Sequence, residues 1–520
     1  MVRRTLAVAI LATAAAFGVG AAPAAAATDA TGRTGEVRFV KRMTPADDKH
    51  VTGNNPAKRA WLNDKFWRTE VFAPFFDGMT GWYGQGWVYS DLYAIYPSSK
   101  LATEHPEWIL RDAAGNKLFI PWGCSNGTCP QYAADITNPA FRADWIAKLK
   151  GTLAKGYKGA WIDDVNLERR VGNGNGTEVA PVSPALGRAM SADDWRKAMA
   201  SFTEQIRREI PNHELLHNSI WYAGQGAGRE KNPDVQRQIA SADYINLERG
   251  VTDGGLTGGT GEWSLKAVHA FADQVHAQGK GLIIDSWEST DADREYSLAN
   301  YLLLNNGADG VGDMSQSPDA WWQGWDADLG TATTGRYDWQ GVIRRDFTGG
   351  TVLVNEPGAP TRTVTLSKPM VTVDGRTVTQ VSVSAKRGVV LRGEGAPAGS
   401  TTPGTTTPAP GTPTPGSVKP PKGTTTPQTG TGSTGTTTPA ADKNCTIVRV
   451  TYPTLRWDAK KNRLVTGKGS AKVCIPTHLK KGTKAHKSAL KKAKIGARKA
   501  SIAKAKAARL QAVRAAAARA

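Results

Sequence analysis

Short hydrophobic strands and amphipathic helices alternate eight times over roughly 280 residues, which predicts a (β/α)8 TIM barrel. Two further observations favour this closed sheet over a doubly wound one. No Gly-rich dinucleotide turn follows the first strand. Acidic residues recur at the C-terminal ends of the strands, the end at which such a barrel gathers its active site.

The first predicted strand is VRFVKR. The second, WVYSDLYAIY, carries Asp91, and the third, QYAADIT, carries Asp135. The fourth, GAWIDDVN, sets Asp163 beside Asp164 directly after a buried run. HELLHNSIWY, the fifth, ends on His217 and Asn218 with Trp221 behind them. The sixth, DYINLERG, ends on Glu248 and Arg249. GLIIDSWE follows with Asp285, Trp287 and Glu288, and DGVGDMS closes the set with Asp313. Between them PAFRADWIAKLKGTLAKG, SADDWRKAMASFTEQIRREI and SLKAVHAFADQVHAQG read as helices.

Each acid also has a structural reading. Asp135 precedes Thr-Asn-Pro-Ala, a helix start, so it suits a capping role as well as a substrate contact. Asp91 and Asp313 suit loop-orienting hydrogen bonds equally. Capping explains one of Asp163 and Asp164 but not both. Strand alternation sends the pair to opposite faces, so one can face the barrel mouth while the other supports a loop, and Asp163 shares its face with Trp161. His217 lacks the spacing of a metal ligand and reads as a structural or substrate-contacting residue.

Two carboxylates facing each other across a barrel mouth suit glycosidic cleavage: one protonates the leaving oxygen, the other attacks or activates water. Aromatic rings offer stacking surfaces for sugars. Of the 17 tryptophans 16 precede the Thr/Pro tract, and Trp82, Trp87, Trp122, Trp221, Trp287, Trp321, Trp322 and Trp325 sit near predicted loops or strand ends. The expected catalytic set is Asp163, Glu248 and Asp164. The expected substrate contacts are Asp91, Asp135, His217, Asn218, Arg249, Asp285, Trp161, Trp221, Trp287 and Asp313. No metal or cofactor is expected. GNGNG at 172–176 and TDGGLTGGTG at 252–261 lack the Lys-Ser/Thr of a phosphate loop and read as mobile loops over the cleft. A missing G-x-S-x-G elbow counts against an esterase.

Composition divides the remainder. Residues 1–27, with a basic start, an apolar run and an Ala-x-Ala ending, read as a secretory signal peptide, leaving a soluble extracellular or wall-associated protein. The barrel is assigned to residues 35–330, a small β-sandwich-like domain to 336–393 and a disordered Thr/Pro/Gly linker to 394–441. A small disulfide module at 442–480 and a basic Ala/Lys/Arg-rich helical tail at 481–520 complete the chain. Four cysteines, Cys124, Cys129, Cys445 and Cys474, fit export; pairing between sequence neighbours is the simplest of three connectivities. The net charge of +20 resides entirely beyond Ala441, where 22 Lys and Arg face two acids. It therefore bears on the tail's partner, an anionic wall polymer or membrane surface, and not on the barrel's substrate. No specific nucleic-acid partner is expected, and the chain is expected to be monomeric.

The segments GYKGAWIDDVN, DYINLERGVTDGGLTGGTGEWS and PEWILRDAAGNKLFIPWGCSNGTCPQYAADITNPAFR resemble the hypothetical glycosyl hydrolases of secreted bacterial proteins. That group is similar to endo-α-1,4-polygalactosaminidases, which have a similar G-x-x-x-D-D strand. The resemblance spans roughly residues 35 to 330 and implies a TIM barrel and O-glycosyl hydrolysis, without implying a substrate. Trp161-Ile162-Asp163 also resembles the W-x-D fourth-strand nucleophile motif of α-glucosidase-type barrels. This implies Asp163, rather than Asp164, as nucleophile or base, with Glu248 as general acid. A secreted, wall-associated polysaccharide hydrolase is the leading expectation. A non-catalytic carbohydrate-binding barrel and a metal-dependent deacetylase or amidohydrolase are its alternatives.

Overall fold

The computed structural model describes residues 33–44, 47, 55–218, 231–287, 290–313, 317–318 and 320–393, and the backbone of 445–458 and 463–476. The expected signal peptide, linker and basic tail lie outside the described residues, as do Trp221, Glu288 and the side chains of Cys445 and Cys474.

Eight parallel strands close into a barrel. They are β1 (Phe39–Arg42), β2 (Arg68–Val71), β3 (Gly86–Asp91), β4 (Gly159–Asp163), β5 (Glu214–Asn218), β6 (Tyr244–Arg249), β7 (Gly281–Ser286) and β8 (Gly310–Asp313). Closure comes from β8 pairing with β1, Phe39 lying beside Val311. The helices that link the strands are α1 (Pro56–Lys65), α2 (Pro139–Leu153), α3 (Ala192–Glu209), α4 (Pro233–Ser241), α5 (Leu265–Ala277) and α6 (Asp291–Leu304), with a short helical turn at Lys100–Glu104 ahead of α2. One follows each strand from β1 to β7 except β2, after which a single 3-10 turn at Asp77–Met79 carries the chain across.

Local sequence explains where the helices start. Asn-Pro begins three of them: Asn55, Asn138 and Asn232 each accept hydrogen bonds from two backbone N–H groups of the first turn, and proline follows with its φ already helical. Ser191 and Asp194 form a reciprocal capping box on α3.

The sequence-predicted strand list needs one correction. QYAADIT is not a barrel strand: only Tyr132–Ala133 is extended, paired with Ala94–Ile95 in a two-stranded excursion beyond β3. The second barrel strand is Arg-Thr-Glu-Val, whose charged residues point inward. Arg68 donates two hydrogen bonds to Glu214, at 2.9 and 2.8 Å, and the Trp87 indole N–H donates to the same carboxylate at 2.7 Å. A buried charge is tolerable only when paired and hydrogen-bonded in this way. Beside it the β4 backbone runs so close that a Cβ on Gly159 would lie 2.0 Å from the Glu214 carbonyl, so the position needs glycine. Above this polar floor Val40, Trp87, Trp161, Leu216, Tyr244 and Ile283 fill the barrel. Each strand alternates, so these positions also fix which later residues reach the mouth.

Six antiparallel strands follow: β9 (Tyr337–Trp339), β10 (Val342–Phe347), β11 (Gly350–Asn355), β12 (Arg362–Thr372), β13 (Thr377–Val383) and β14 (Arg387–Gly393). They form one sheet in the order β9-β10-β11-β14-β12-β13. One face packs on α6, so that Val352, Val354 and Val390 join the barrel's core. Val364, Leu366 and Val383 cluster with Val342, Leu353 and Leu391 in a second core. Burial of each such side chain contributes about 1.5–3 kcal/mol. Arg345 caps α6 by donating to the carbonyls of Leu302, Leu303 and Asn305. The tail unit contributes a separate hairpin, β15 (Cys445–Asp458) and β16 (Arg463–Pro476), in which Cys445 is paired with Pro476 and Cys474 with Ile447.

Candidate active site

The inward residues at the top of the strands are Arg42 from β1, Glu70 from β2, Tyr89 and Asp91 from β3, Asp163 from β4, Asn218 from β5, Glu248 from β6 and Asp285 from β7. Register puts Asp91 beside Asp163, and Glu248 beside Asp285. Gly310 and Gly312 stand where β8 would otherwise send side chains inward, against Val40, Trp67 and Asp285.

Among the described residues, Asp163 accepts only from uncharged hydrogen-bond donors. Its Oδ1 accepts from Asn218 Nδ2 and from the Asp164 N–H, both at 2.8 Å, and its Oδ2 lies 2.9 Å from the Tyr89 hydroxyl. The same Asn218 nitrogen lies 3.4 Å from Glu248 Oε2, while Asn218 Oδ1 accepts from Asn246. One amide thus touches both carboxylates. Among the described residues neither Asp163 nor Glu248 forms an ion pair.

The Tyr89 hydroxyl also lies 2.5 Å from Asp91 Oδ1. Asp91 Oδ2 accepts from Tyr96 at 2.6 Å and from Gln131 at 3.0 Å. Burial, partly offset by these donors, raises the Asp91 pKa. Burial and the flanking Asp163 and Asp91 charges push the Tyr89 phenol far above its ordinary value, so it keeps its proton.

Asp164 sits behind this line. Its φ of 57° turns the chain so that its N–H faces Asp163, while its own carboxylate accepts from Asn166 at 2.8 Å. Burial, then the Asp163 charge, push its carboxyl up to about 7.

Opposite, Arg42 donates to Glu70 Oε2 at 2.9 Å and to Asp285 Oδ2 at 2.7 Å, and lies over the Trp161 ring at 4.1 Å. Burial raises Glu70 to about 8, with the Asp285 charge adding to it and Arg42 opposing. Asp285 rises to about 6 by burial against the same cation. Strand-end patterns did not reveal Arg42, Glu70 or Tyr89. The inward parity of Arg68 and Glu70 in RTEV was the available signal.

Several expected contacts lie elsewhere. His217 points outward, its Nδ1 2.6 Å from Gln238 of α4, and burial lowers its pKa to about 3. Asp313 also faces outward, accepting from Arg294 of α6 at 2.9 Å. Asp135 bonds the Thr137 N–H and hydroxyl ahead of α2. Trp161 is 3 % exposed and supports Arg42 and Tyr89 from inside the barrel. Trp87 is buried inside the barrel on Glu214, Trp82 packs on Tyr83, Trp321 and Trp325 pack on Phe39, and Trp322 packs on Trp325. Arg249 and Trp287 remain at the rim, the guanidinium 5.2 Å above the indole. The two Gly-rich segments are anchored: Gly172 exchanges both backbone hydrogen bonds with Phe119, and Gly258 abuts Pro357 of the following sheet.

A closed parallel barrel with facing carboxylates at its C-terminal mouth is the architecture of a glycoside hydrolase. Residues 82–351 match the model of hypothetical glycosyl hydrolase family 15, and the chain belongs to that family. No curated protein matches it in sequence. Similar solved structures include the glycoside hydrolase domain of PelA from Pseudomonas aeruginosa, at 14% identity over 55% of this chain and 96% of that one, TM-score 0.33. An α-amylase from Lactobacillus plantarum is 12% identical over 69% of this chain and 98% of its own, TM-score 0.37. A maltogenic α-amylase, AmyB, from Thermotoga neapolitana is 10% identical over 68% and 98%, TM-score 0.39.

Proposed function

We propose that this glycoside hydrolase cuts an extracellular polysaccharide, with Asp163 as nucleophile and Glu248 as general acid. The observation that carries the assignment is the Asn218 amide, 2.8 Å from one carboxylate and 3.4 Å from the other. Both legs end on one nitrogen, so the two facing oxygens lie closer together than the roughly 6.5–9.5 Å of inverting enzymes, which favours the retaining arrangement at roughly 5–5.5 Å. Glu248 protonates the glycosidic oxygen as Asp163 attacks the anomeric carbon, and the deprotonated Glu248 then activates water to release the glycosyl ester. Tyr89, Asn218 and the Asp164 N–H orient the attacking carboxylate. Asp164 is a positioning residue.

Export is supported by the N-terminal pattern and by the Cys124–Cys129 disulfide, a bond that persists in oxidising compartments. The basic tail would hold the enzyme on an anionic wall polymer or membrane surface, an attachment that added salt should release.

The test is reducing-end release from a panel of bacterial and fungal exopolysaccharides, amino-sugar polymers included. Wild type should release ends while folded Asp163→Asn and Glu248→Gln variants do not. Binding without release, unchanged in the variants, would instead support the non-catalytic carbohydrate-binding reading. Proton NMR of the first product should show a retained anomer; an inverted one would make Asp163 a base.

A further inference from the structure

We infer that Trp122 and Tyr96 form a saccharide-binding platform on the β3 side of the mouth, built by Gln131 and the disulfide turn. This rests on the glycoside hydrolase reading and names a subsite for the same substrate. Among the described residues few large apolar side chains are strongly exposed, and these two are 51% and 46% exposed. Their polar edges are nevertheless fixed. Gln131, itself 3% exposed, accepts from the Trp122 indole N–H and contacts the Tyr96 hydroxyl at 2.9 Å. Its amide also donates to Asp91 at 3.0 Å. Among the described residues no ring or cation packs on either aromatic. Two rings pinned by their edges with their faces left open are suited to stacking on the apolar face of a sugar.

The loop behind Trp122 is braced from three directions. Cys124 and Cys129 are bonded across the turn, and Ser125 and Thr128 exchange backbone hydrogen bonds. Gly174 of the GNGNG segment packs so closely that a Cβ there would lie 1.7 Å from the Gly127 carbonyl. Bracing of this kind lowers the ordering cost of binding. The platform is also continuous with the reaction centre: Gln131 touches Asp91, Asp91 touches Tyr89, and Tyr89 touches Asp163. A sugar stacked on Trp122 would therefore occupy a subsite linked to the reaction centre through this line of side chains.

The experiment is affinity electrophoresis of the full-length chain through native gels cast with amylose, mannan, pectin or partially deacetylated chitosan, alongside KM from reducing-end release. Wild type and Asp163→Asn should be retarded by at least one of these polymers. Trp122→Ala should weaken that retardation, and raise KM, about tenfold. Trp122→Phe, which keeps a ring, should stay within about threefold of wild type. Replacing Cys124 and Cys129 by serine should weaken retardation with the tryptophan still present. Unchanged retardation of a folded Trp122→Ala, or no retardation of wild type by any of the four, overturns the platform. An Asp163→Asn protein that still releases ends overturns the catalytic assignment and leaves the platform standing, so the two failures are distinguishable.

Discussion

The two walls of the barrel mouth use the same residue types to opposite ends. On the wall formed by β3 to β6, Asp91, Asp163 and Glu248 meet tyrosine hydroxyls and amides. On the wall formed by β7, β1 and β2, Asp285 is ion-paired with the Arg42 guanidinium, and Glu70, which burial keeps protonated, accepts a hydrogen bond from the same cation. A carboxylate held by neutral donors can give up or take on charge during a reaction, because no fixed counter-ion is left exposed. One locked in a buried ion pair cannot leave it without stranding the cation, a loss of about 3–5 kcal/mol. The first wall is therefore suited to chemistry and the second to shape. The family match begins at residue 82, after β1 and β2, so it includes the whole reactive wall but not Arg42 or Glu70.

The contrast can be broken most severely at Arg42. Arg42→Ala leaves the Asp285 carboxylate buried without its cation and Glu70 without its donor, and should destabilise the barrel by about 3–5 kcal/mol, read by denaturant unfolding. An unaltered unfolding midpoint would mean that Asp285 is not ion-paired with Arg42 in solution. Tyr89→Phe comes next. It keeps the ring against Trp161 and removes the hydroxyl between Asp163 and Asp91, so kcat should fall about 100-fold with little change in KM.

A smaller effect is expected with pH. Glu70 near 8 and Asp164 near 7 hold protons in the folded state that the unfolded chain releases near 4.5 and 3.8. The native state then binds more protons than the unfolded one, so this stabilisation is full below about pH 4 and is lost as pH rises through 7 and 8. The melting temperature should fall by roughly 5 °C from pH 5 to pH 8, and Glu70→Gln should flatten that slope. A slope that Glu70→Gln leaves untouched would assign it to other groups. Least affected in turnover should be His217→Asn. Its ring faces α4, so the melting temperature should drop while kcat/KM stays within about twofold.

Strand-end position in the sequence was enough to find the barrel, the acids of β4 and β6, and Asn218. Side-chain direction decided the rest. His217 and Asp313 stand one residue out of phase with the inward positions, so each falls on the helix side of the sheet. Arg68–Val71 was missed because its inward residues are charged and its apolar content is a single valine, the reverse of the usual strand signal. QYAADIT carried that signal without being in the barrel. Tryptophan count was a poor guide to the cleft, since Trp87, Trp161 and Trp325 are buried core.

The most direct measurement is the turnover of four near-isosteric variants on one cleaved polysaccharide. Asp163→Asn and Glu248→Gln should each lose about a thousandfold or more, while Glu70→Gln and Asp285→Asn stay within about tenfold of wild type. Loss of turnover in the Glu70 or Asp285 variant, with Asp163→Asn or Glu248→Gln still active, would place the chemistry on the ion-paired wall and contradict the account.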